Sequence, residues 1–398
     1  MNTAAVAKRN ITLLAISQAL YSCCVITVFA TAGITGYMLA PSPGWATAPI
    51  TTFVIGSALA AIPASLLMQR FGRIPVFMLG AAMCFVGAAL STFAILTQNF
   101  FLFCFGTLLQ GVFQSTSGFY RFAAVEGAPV EMKPLAISWV LTGGVVAAVI
   151  GTLIASSTSD LFAPATFAGS YLAVVVLTVI AMGFLLLLKL PKPTADEVHG
   201  IRRPWSELLK QPRLIVAISS AALSYGMMNL MMTAAPIAMI GCGFDKNDAS
   251  WVIQWHVLGM FVPSFFTGHL IKKFGAEKIA ATGMLLLITA AIVGLSGITF
   301  LNFAAALILL GLGWNFGFIG GTTMLTTTYN PPERGKVQGA NDFIMLTVVA
   351  LASLSSGKLL AGIGWASVNI ALFPMAILAL ALIVWVMWKS RLSVVTPQ

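Results

Sequence analysis

The sequence predicts an all-α polytopic membrane protein with twelve transmembrane helices in two pseudo-symmetric six-helix bundles. Of its 398 residues, 59% are apolar and only 8% are charged, whereas ordinary soluble domains carry about 25% charged residues. The mean hydropathy of the whole chain is +0.96. A value this high in a chain this long requires apolar segments that recur from end to end. These segments are continuous rather than alternating, which disfavours a β-barrel. The composition excludes a soluble protein and a soluble enzyme with a single anchor.

Twelve apolar runs are long enough to cross a bilayer, for which about 20 residues suffice. They lie at residues 11–40, 49–69, 74–96, 100–122, 134–156, 163–190, 214–242, 250–271, 277–299, 303–329, 338–361 and 366–388. The longest polar segment separates the sixth run from the seventh. We therefore predict an N-terminal bundle over residues 1–190, a cytoplasmic linker over 191–213 and a C-terminal bundle over 214–398.

The basic residues predict the topology. The chain has 21 Lys and Arg against 11 Asp and Glu, a net charge of +10. With the N-terminus placed in the cytoplasm, 19 of the 21 basic residues fall on the cytoplasmic side, and only Lys246 and Lys358 fall outside, as the positive-inside rule requires. We expect the bacterial cytoplasmic (inner) membrane, with both termini cytoplasmic. Because the charges are dispersed over many loops, they do not indicate a nucleic-acid partner.

The two halves of the sequence echo each other. After the second run comes SLLMQRFGR at residues 65–73, and after the eighth comes GHLIKKFG at residues 268–275, an offset of 203. A second echo precedes the fifth and eleventh runs, where Glu131 and Glu333 differ by 202. Duplicated six-helix halves place a solute site near the midplane between them.

Soft and polar side chains are densest in the seventh and eighth runs, and such intramembrane residues are functional candidates by default. Met228 and Met232 are four residues apart, as are His256 and Met260, so each pair shares one helix face. Thioether and imidazole groups suit Cu(I). The alternative is structural: with 18 Met in the chain, a Met pair at this spacing arises by chance, and Met is a common gap-filler in cores.

The chain resembles the major facilitator superfamily of transporters over its whole length. The family's cytoplasmic loop signature, an acidic-basic-x-Gly-basic run, corresponds here to Arg70-Phe71-Gly72-Arg73, with Gln69 in place of the acid. The resemblance implies the major facilitator fold and secondary-active transport by alternating access.

Within that family, residues 227–236 and 253–261 are similar to one branch, which contains copper importers for haem-copper respiratory oxidase assembly and riboflavin-transporter relatives. The resemblance assigns four copper ligands: Met228, Met232, His256 and Met260. Met227 and Met231 form the competing register. The expected function is copper import into the cytoplasm, and the alternative is import of riboflavin or of another small solute.

The fifth run bears on the direction of transport. Where drug antiporters of the family carry a Gly-Pro pair, this chain has Gly151-Thr152, which favours uptake over efflux. The sequence also lacks a nucleotide-binding glycine loop, a catalytic triad and zinc-type spacing. We therefore expect a transporter that is neither an enzyme nor a primary pump.

Further polar and aromatic residues are candidates for lining a cavity for a planar polar solute such as a flavin. They are Asn229, Tyr225, Trp255, Gln110, Gln114, Trp314 and Asn315. The alternative for these side chains is interhelical hydrogen bonding.

Three charged residues are candidates for gating or proton coupling: Asp342, Arg121 and Glu126. For Asp342 we favour an ion pair with the nearby Arg334 or Lys336. We expect a monomer with no permanently bound cofactor. Copper enters only as a candidate transported ion, and the expected partners are the small solute or metal ion and the lipid bilayer.

Overall fold

The computed structural model describes residues 3–42, 45, 47–126 and 128–395, in which helices predominate and no strand occurs. The α-helices are α1 (Thr3–Leu39), α2 (Ala48–Phe71), α3 (Arg73–Leu96), α4 (Phe100–Gly118), α5 (Tyr120–Ala123), α6 (Lys133–Leu141), α7 (Gly143–Ser157), α8 (Ala168–Leu186), α9 (Ala195–His199), α10 (Trp205–Leu208), α11 (Pro212–Gly241), α12 (Lys246–Phe261), α13 (Ser264–Phe274), α14 (Ala276–Leu295), α15 (Phe300–Leu325), α16 (Arg334–Ile363) and α17 (Trp365–Val395). Two 3₁₀ turns, Val130–Met132 and Pro331–Glu333, precede α6 and α16.

In the described part of the chain, ten helical segments are long and apolar enough to cross a membrane. This confirms the all-α polytopic fold. The other two predicted spans are divided in the structure, as is the span predicted at 134–156, which consists of α6 and α7. The span predicted at 100–122 is divided into α4 and α5, and the span predicted at 250–271 is divided into α12 and α13.

The second break has a local cause. Pro263 lies between α12 and α13, and its ring removes a backbone donor and clashes with the preceding turn. Proline does not end every helix here, because α11 continues through Pro236 to Gly241. The span predicted at 163–190 was placed too early at its start, since α8 begins at Ala168.

The chain forms two compact units. The first contains Met1–Val130, Trp139–Ile201 and Pro331–Phe343. The second contains Glu131–Ser138, Arg202–Asn330 and Ile344–Gln398. The division along the chain that we predict at 191–213 stays a prediction.

Aromatic side chains form much of the core of the first unit. Phe77 and Tyr120 are fully buried, and their rings meet edge to face with centroids 4.7 Å apart. Phe103 and Tyr171 form a second such pair at 5.2 Å. These contacts tie α3 to α5 and α4 to α8.

Helix α15 is central to the second unit, where it packs against α11, α12 and α14. Its backbone lies very close to that of α12. A Cβ atom added to Gly311 would lie 2.6 Å from the carbonyl oxygen of His256 and 2.8 Å from the amide nitrogen of Met260. Only glycine allows this approach, which sets the positions of the side chains that α12 and α15 share.

Candidate functional site

Four aromatic rings from three helices meet in the second unit. Trp314 and Phe318, one turn apart on α15, are stacked with centroids 5.0 Å apart and ring planes 10° apart. Tyr225 of α11 lies 5.5 Å from Trp314, and Phe261 at the end of α12 meets the same indole edge to face at 5.7 Å. We call these four residues the aromatic cluster.

The indole of Trp314 has a buried donor. Its Nε1 atom is shielded from solvent and has no hydrogen-bond partner among the described residues. Buried polar groups in folded proteins are nearly always paired, so an unpaired one requires an explanation. A solute that stacks on the cluster and offers an acceptor to Nε1 would supply the missing partner.

Asn229 lies one turn beyond Tyr225 on α11, and residues four apart share a helix face. Its Oδ1 atom is also buried without a hydrogen-bond partner in the described residues. The amide therefore adds an unpaired acceptor beside the aromatic cluster.

His256 of α12 is fully buried. Its Nδ1 atom lies 2.7 Å from the carbonyl oxygen of Leu307 on α15. Its other ring nitrogen, Nε2, is buried, and the described residues provide no hydrogen-bond partner for it. The imidazole is thus anchored at one nitrogen and free at the other.

Asn229 and His256 lie toward the same end of the second unit. Asn229 follows Tyr225 by four residues and His256 precedes Phe261 by five, which corresponds to about 6 Å and about 7.5 Å along the helix axes. Both displacements run toward the loop between α11 and α12. The second unit therefore holds the four rings of the aromatic cluster and, displaced toward that loop along α11 and α12, two residues with unpaired acceptors. This combination suits a flat solute with a hydrogen-bonding edge.

The proposed copper ligands occupy this region as well. Met228 and Met260 are buried, and Met232 is half-buried. Met227 and Met231, the competing register, are fully buried. Among the described residues, His, Cys, Asp and Glu form no group of three that could hold a metal ion. The copper ligand set stays a prediction.

Asn315, predicted to line the cavity, is fully occupied by protein contacts. Its Nδ2 atom donates to the carbonyl of Met260 and to Ser264 Oγ, each at 2.6 Å. Its Oδ1 atom accepts from Thr267 Oγ1 at 2.6 Å. These bonds hold α15 against the break between α12 and α13, and they give Asn315 a structural role.

Trp255 lies on an exposed face of α12, with 43% of its surface accessible. Its ring packs against Trp251 at 5.4 Å, and Trp251 in turn contacts Phe300 at 5.5 Å. These three rings form a second aromatic group, separate from the four rings of the aromatic cluster.

Two predicted cavity residues belong to the first unit. Gln114 Oε1 accepts from the hydroxyl of Tyr21 at 2.9 Å. Gln110 Nε2 donates to Ser91 Oγ at 2.9 Å, while its Oε1 atom is buried with no partner in the described part of the chain. Gln114 therefore links α1 to α4, and Gln110 links α3 to α4.

The partner that we favoured for Asp342 is wrong. Its carboxylate accepts from Arg121 Nη2 at 2.5 Å and from Asn341 Nδ2 at 2.8 Å. Arg334 instead pairs with Glu126 at 3.0 Å. Sequence proximity misled here, because a buried carboxylate is paired with whichever cation the fold brings to it.

We call Arg73, Arg121, Glu126, Glu197, Arg334 and Asp342 the charged cluster. The sequence did not single out two of these residues, Arg73 and Glu197, for it. Arg73 pairs with Glu126 at 2.6 Å, and Glu197 lies 3.3 Å from Arg334. Gln69, which stands at the acidic position of the loop signature, donates to the carbonyls of Glu197 and Pro332. The loop signature could have identified Arg73 as a member of the charged cluster, since Arg73 is its last residue.

The aromatic cluster also contains two residues that sequence reasoning missed, Phe261 and Phe318. Of the cluster, only Tyr225 and Trp314 were predicted. The i, i+4 spacing of Trp314 and Phe318 was a usable signal, although a chain with 27 Phe offers many such pairs.

Comparison with known proteins supplies the family. The model of the Major Facilitator Superfamily matches residues 14–239 and 217–397. The riboflavin transporter RfnT of Brucella anthropi is 44% identical over 382 residues, which cover 96% of each chain. The uncharacterized MFS-type transporter YdeG of Bacillus subtilis is 25% identical and covers 95% of this chain and 92% of its own length.

Solved structures show the same fold. The human organic anion transporter MFSD10 superposes with a TM-score of 0.76 at 12% identity, covering 95% of this chain and 99% of that chain. The E. coli fucose:proton symporter FucP superposes with a TM-score of 0.70 at 16% identity, covering 94% and 96%.

Proposed function

This chain belongs to the major facilitator superfamily, and from that premise we propose that it imports riboflavin or a closely related flavin into bacterial cells. It is a multi-pass secondary transporter of that superfamily. The proposal concerns the solute and the direction of transport. We also propose that the membrane is the bacterial inner membrane and that both termini lie in the cytoplasm, which the distribution of basic residues favours.

One observation carries the choice of solute. The Brucella anthropi relative, 44% identical over nearly the full length of both chains, is a riboflavin transporter. Of the two solutes that the sequence predicted, the comparisons therefore favour riboflavin, which we placed second, over copper, which we placed first. The motifs of α11 and α12 identified the branch correctly but did not distinguish its substrates.

The aromatic cluster supports the same solute. The isoalloxazine ring of a flavin is flat and aromatic, and one edge carries carbonyl acceptors beside an N–H donor. Offset and edge-to-face ring contacts are each worth about 0.5–1.5 kcal/mol beyond area burial. The unpaired Trp314 Nε1 donor and the unpaired acceptors on Asn229 and His256 offer both kinds of hydrogen bond that such an edge needs.

The charged cluster of the first unit has a gating role in this proposal. Separating a buried ion pair is costly, because each partner is then left as an uncompensated buried charge. The pair between Arg121 and Asp342 therefore holds α16 against α5. The pair between Arg334 and Glu126 adds a second tie at the start of α16. Movement of α16 away from these contacts requires both pairs to separate.

Growth of a riboflavin auxotroph tests the proposal. A bacterial strain that cannot synthesise riboflavin and lacks its own transporter grows only at high external riboflavin. Expression of this chain is expected to restore growth at low riboflavin, because a dedicated importer concentrates the vitamin. A vector without insert is the control, and an immunoblot of membranes verifies expression. Failure to restore growth despite normal membrane abundance would contradict the proposal.

A further inference from the structure

We infer that His256 is the residue that recognises the imide N–H of the flavin ring, by accepting it at Nε2. The inference rests on the proposed function and adds a specificity determinant to it. The sequence predicted His256 as a copper ligand, whereas the inference assigns it a hydrogen bond from the flavin. Three observations support it: the tautomer of the ring, the unpaired state of Nε2, and the location of the ring relative to the aromatic cluster.

The tautomer follows from the hydrogen bond to Leu307. A backbone carbonyl oxygen can only accept, so the Nδ1 atom, 2.7 Å away, must carry the proton. In a neutral imidazole one nitrogen is a donor and the other an acceptor. Nε2 of His256 therefore presents a lone pair, and a ligand that meets it must bring a donor.

The ring orientation is held by the packing of α12 against α15. Gly311 lets the two backbones approach so closely that a Cβ atom there would lie 2.6 Å from the carbonyl oxygen of His256. The hydrogen bond between the ring and Leu307 joins the same two helices. The Nε2 acceptor is therefore preorganised, because the imidazole cannot rotate without breaking its bond to Leu307.

The Nε2 atom is buried and has no partner within the described residues. An unpaired buried acceptor loses its hydrogen bonds to water and gains nothing in return. Sites built to bind a polar ligand contain such atoms, because the ligand supplies the missing bond. The same lone pair rejects a ligand that lacks the donor, since binding would then leave the acceptor unpaired.

His256 lies on a helix that contributes to the aromatic cluster and is bonded to another, α15. Leu307, which bonds the imidazole, and Trp314 are seven residues apart on α15, so they share one face of that helix about 10.5 Å apart along its axis. Three fused rings reach over such a distance, so a flavin that contacts the cluster can extend its polar edge toward His256. The imide N–H is the only ring N–H of an oxidised flavin, and it is therefore the donor that Nε2 would select.

The test compares uptake of riboflavin with uptake of N3-methylriboflavin, which lacks the imide N–H. Cells that express the wild-type chain are expected to take up the methylated flavin about tenfold less well, the value of one hydrogen bond of about 1.4 kcal/mol. His256→Asn keeps a donor close to the Nδ1 position but removes the acceptor at Nε2. This variant is expected to lose the discrimination, mainly through slower riboflavin uptake.

His256→Gln is the matched variant, because its amide reaches the Nε2 position while the bond to Leu307 is lost. It is expected to retain part of the discrimination. Membrane abundance of each variant is measured by immunoblot, and the ratio of the two flavins cancels differences in expression. A merely structural role for His256 would lower both rates and leave their ratio unchanged.

Each outcome of these measurements either supports or contradicts the inference. Equal uptake of the two flavins by the wild-type chain overturns the inference without any variant. Unchanged discrimination in His256→Asn overturns it as well, while the wild-type riboflavin uptake in the same assay leaves the proposed function intact. Absence of riboflavin uptake by the wild-type chain overturns both.

Discussion

Trp314 combines two properties at the scale of single residues. Its indole contacts three other aromatic rings, and its buried Nε1 atom has no partner in the described residues. A ring that only filled the core would not need a polar atom at that place. The combination is better explained by a solute that covers the indole and accepts from it.

Substitution of Trp314 tests this explanation. Trp314→Phe keeps an aromatic ring and removes the donor, whereas Trp314→Leu removes both. We expect Trp314→Phe to lower the affinity for riboflavin about tenfold, the value of one hydrogen bond, and Trp314→Leu to lower it further. Affinity is measured on the purified protein by quenching of flavin fluorescence.

The control for this series is Trp388→Leu. Trp388 lies on α17 with 62% of its surface exposed, so its loss should leave riboflavin affinity unchanged. Wild-type affinity in Trp314→Leu would contradict a role for the indole in binding.

Asp342 shows why residue-level prediction from sequence has limits. The sequence identified an acidic residue inside an apolar run and favoured a basic partner nearby along the chain. The actual partner, Arg121, lies 221 residues away in sequence. Hydropathy and spacing reveal that a buried charge needs a partner, but only tertiary packing selects which one.

At the scale of helices, the contact between α12 and α15 positions the candidate site. The hydrogen bond from His256 to Leu307, the bonds of Asn315 and the close approach at Gly311 all join these helices. The break at Pro263 ends α12 just beyond Phe261. The sequence predicted the span but not its break, because hydropathy does not register a missing backbone donor.

Gly311→Ala tests the importance of that contact. The added methyl group would meet backbone atoms, which cannot rotate away, so we expect a loss of about 1–3 kcal/mol in stability, as is typical of overpacking. The melting temperature of the purified protein is the measurement.

Gly357→Ala is the matched control. An added Cβ at this position on α16 meets no atom within 4 Å, and alanine favours a helix by about 0.5–1 kcal/mol over glycine. It should leave the melting temperature unchanged or slightly raised. Equal effects of the two substitutions would show that the close approach is not needed for stability.

At the scale of the whole molecule, hydropathy and charge predicted most of the fold. Long apolar runs must become helices in a bilayer, since no water is available to satisfy an exposed backbone, and the family comparison confirms the resulting architecture. The solute was harder to predict. Met228, Met232, His256 and Met260 match a soft-metal pattern, yet a relative 44% identical to this chain is a riboflavin transporter. The residues that we propose bind the solute are dispersed over α11, α12 and α15, and only folding brings them together.

Paired uptake of labelled riboflavin and labelled copper is the most direct test of the central claim. Both are measured in the same cells, which lack native routes for either solute, with and without the expressed chain. We predict riboflavin accumulation well above the vector control and copper accumulation equal to it. Copper accumulation that depends on the expressed chain, with no accumulation of riboflavin, would contradict the account.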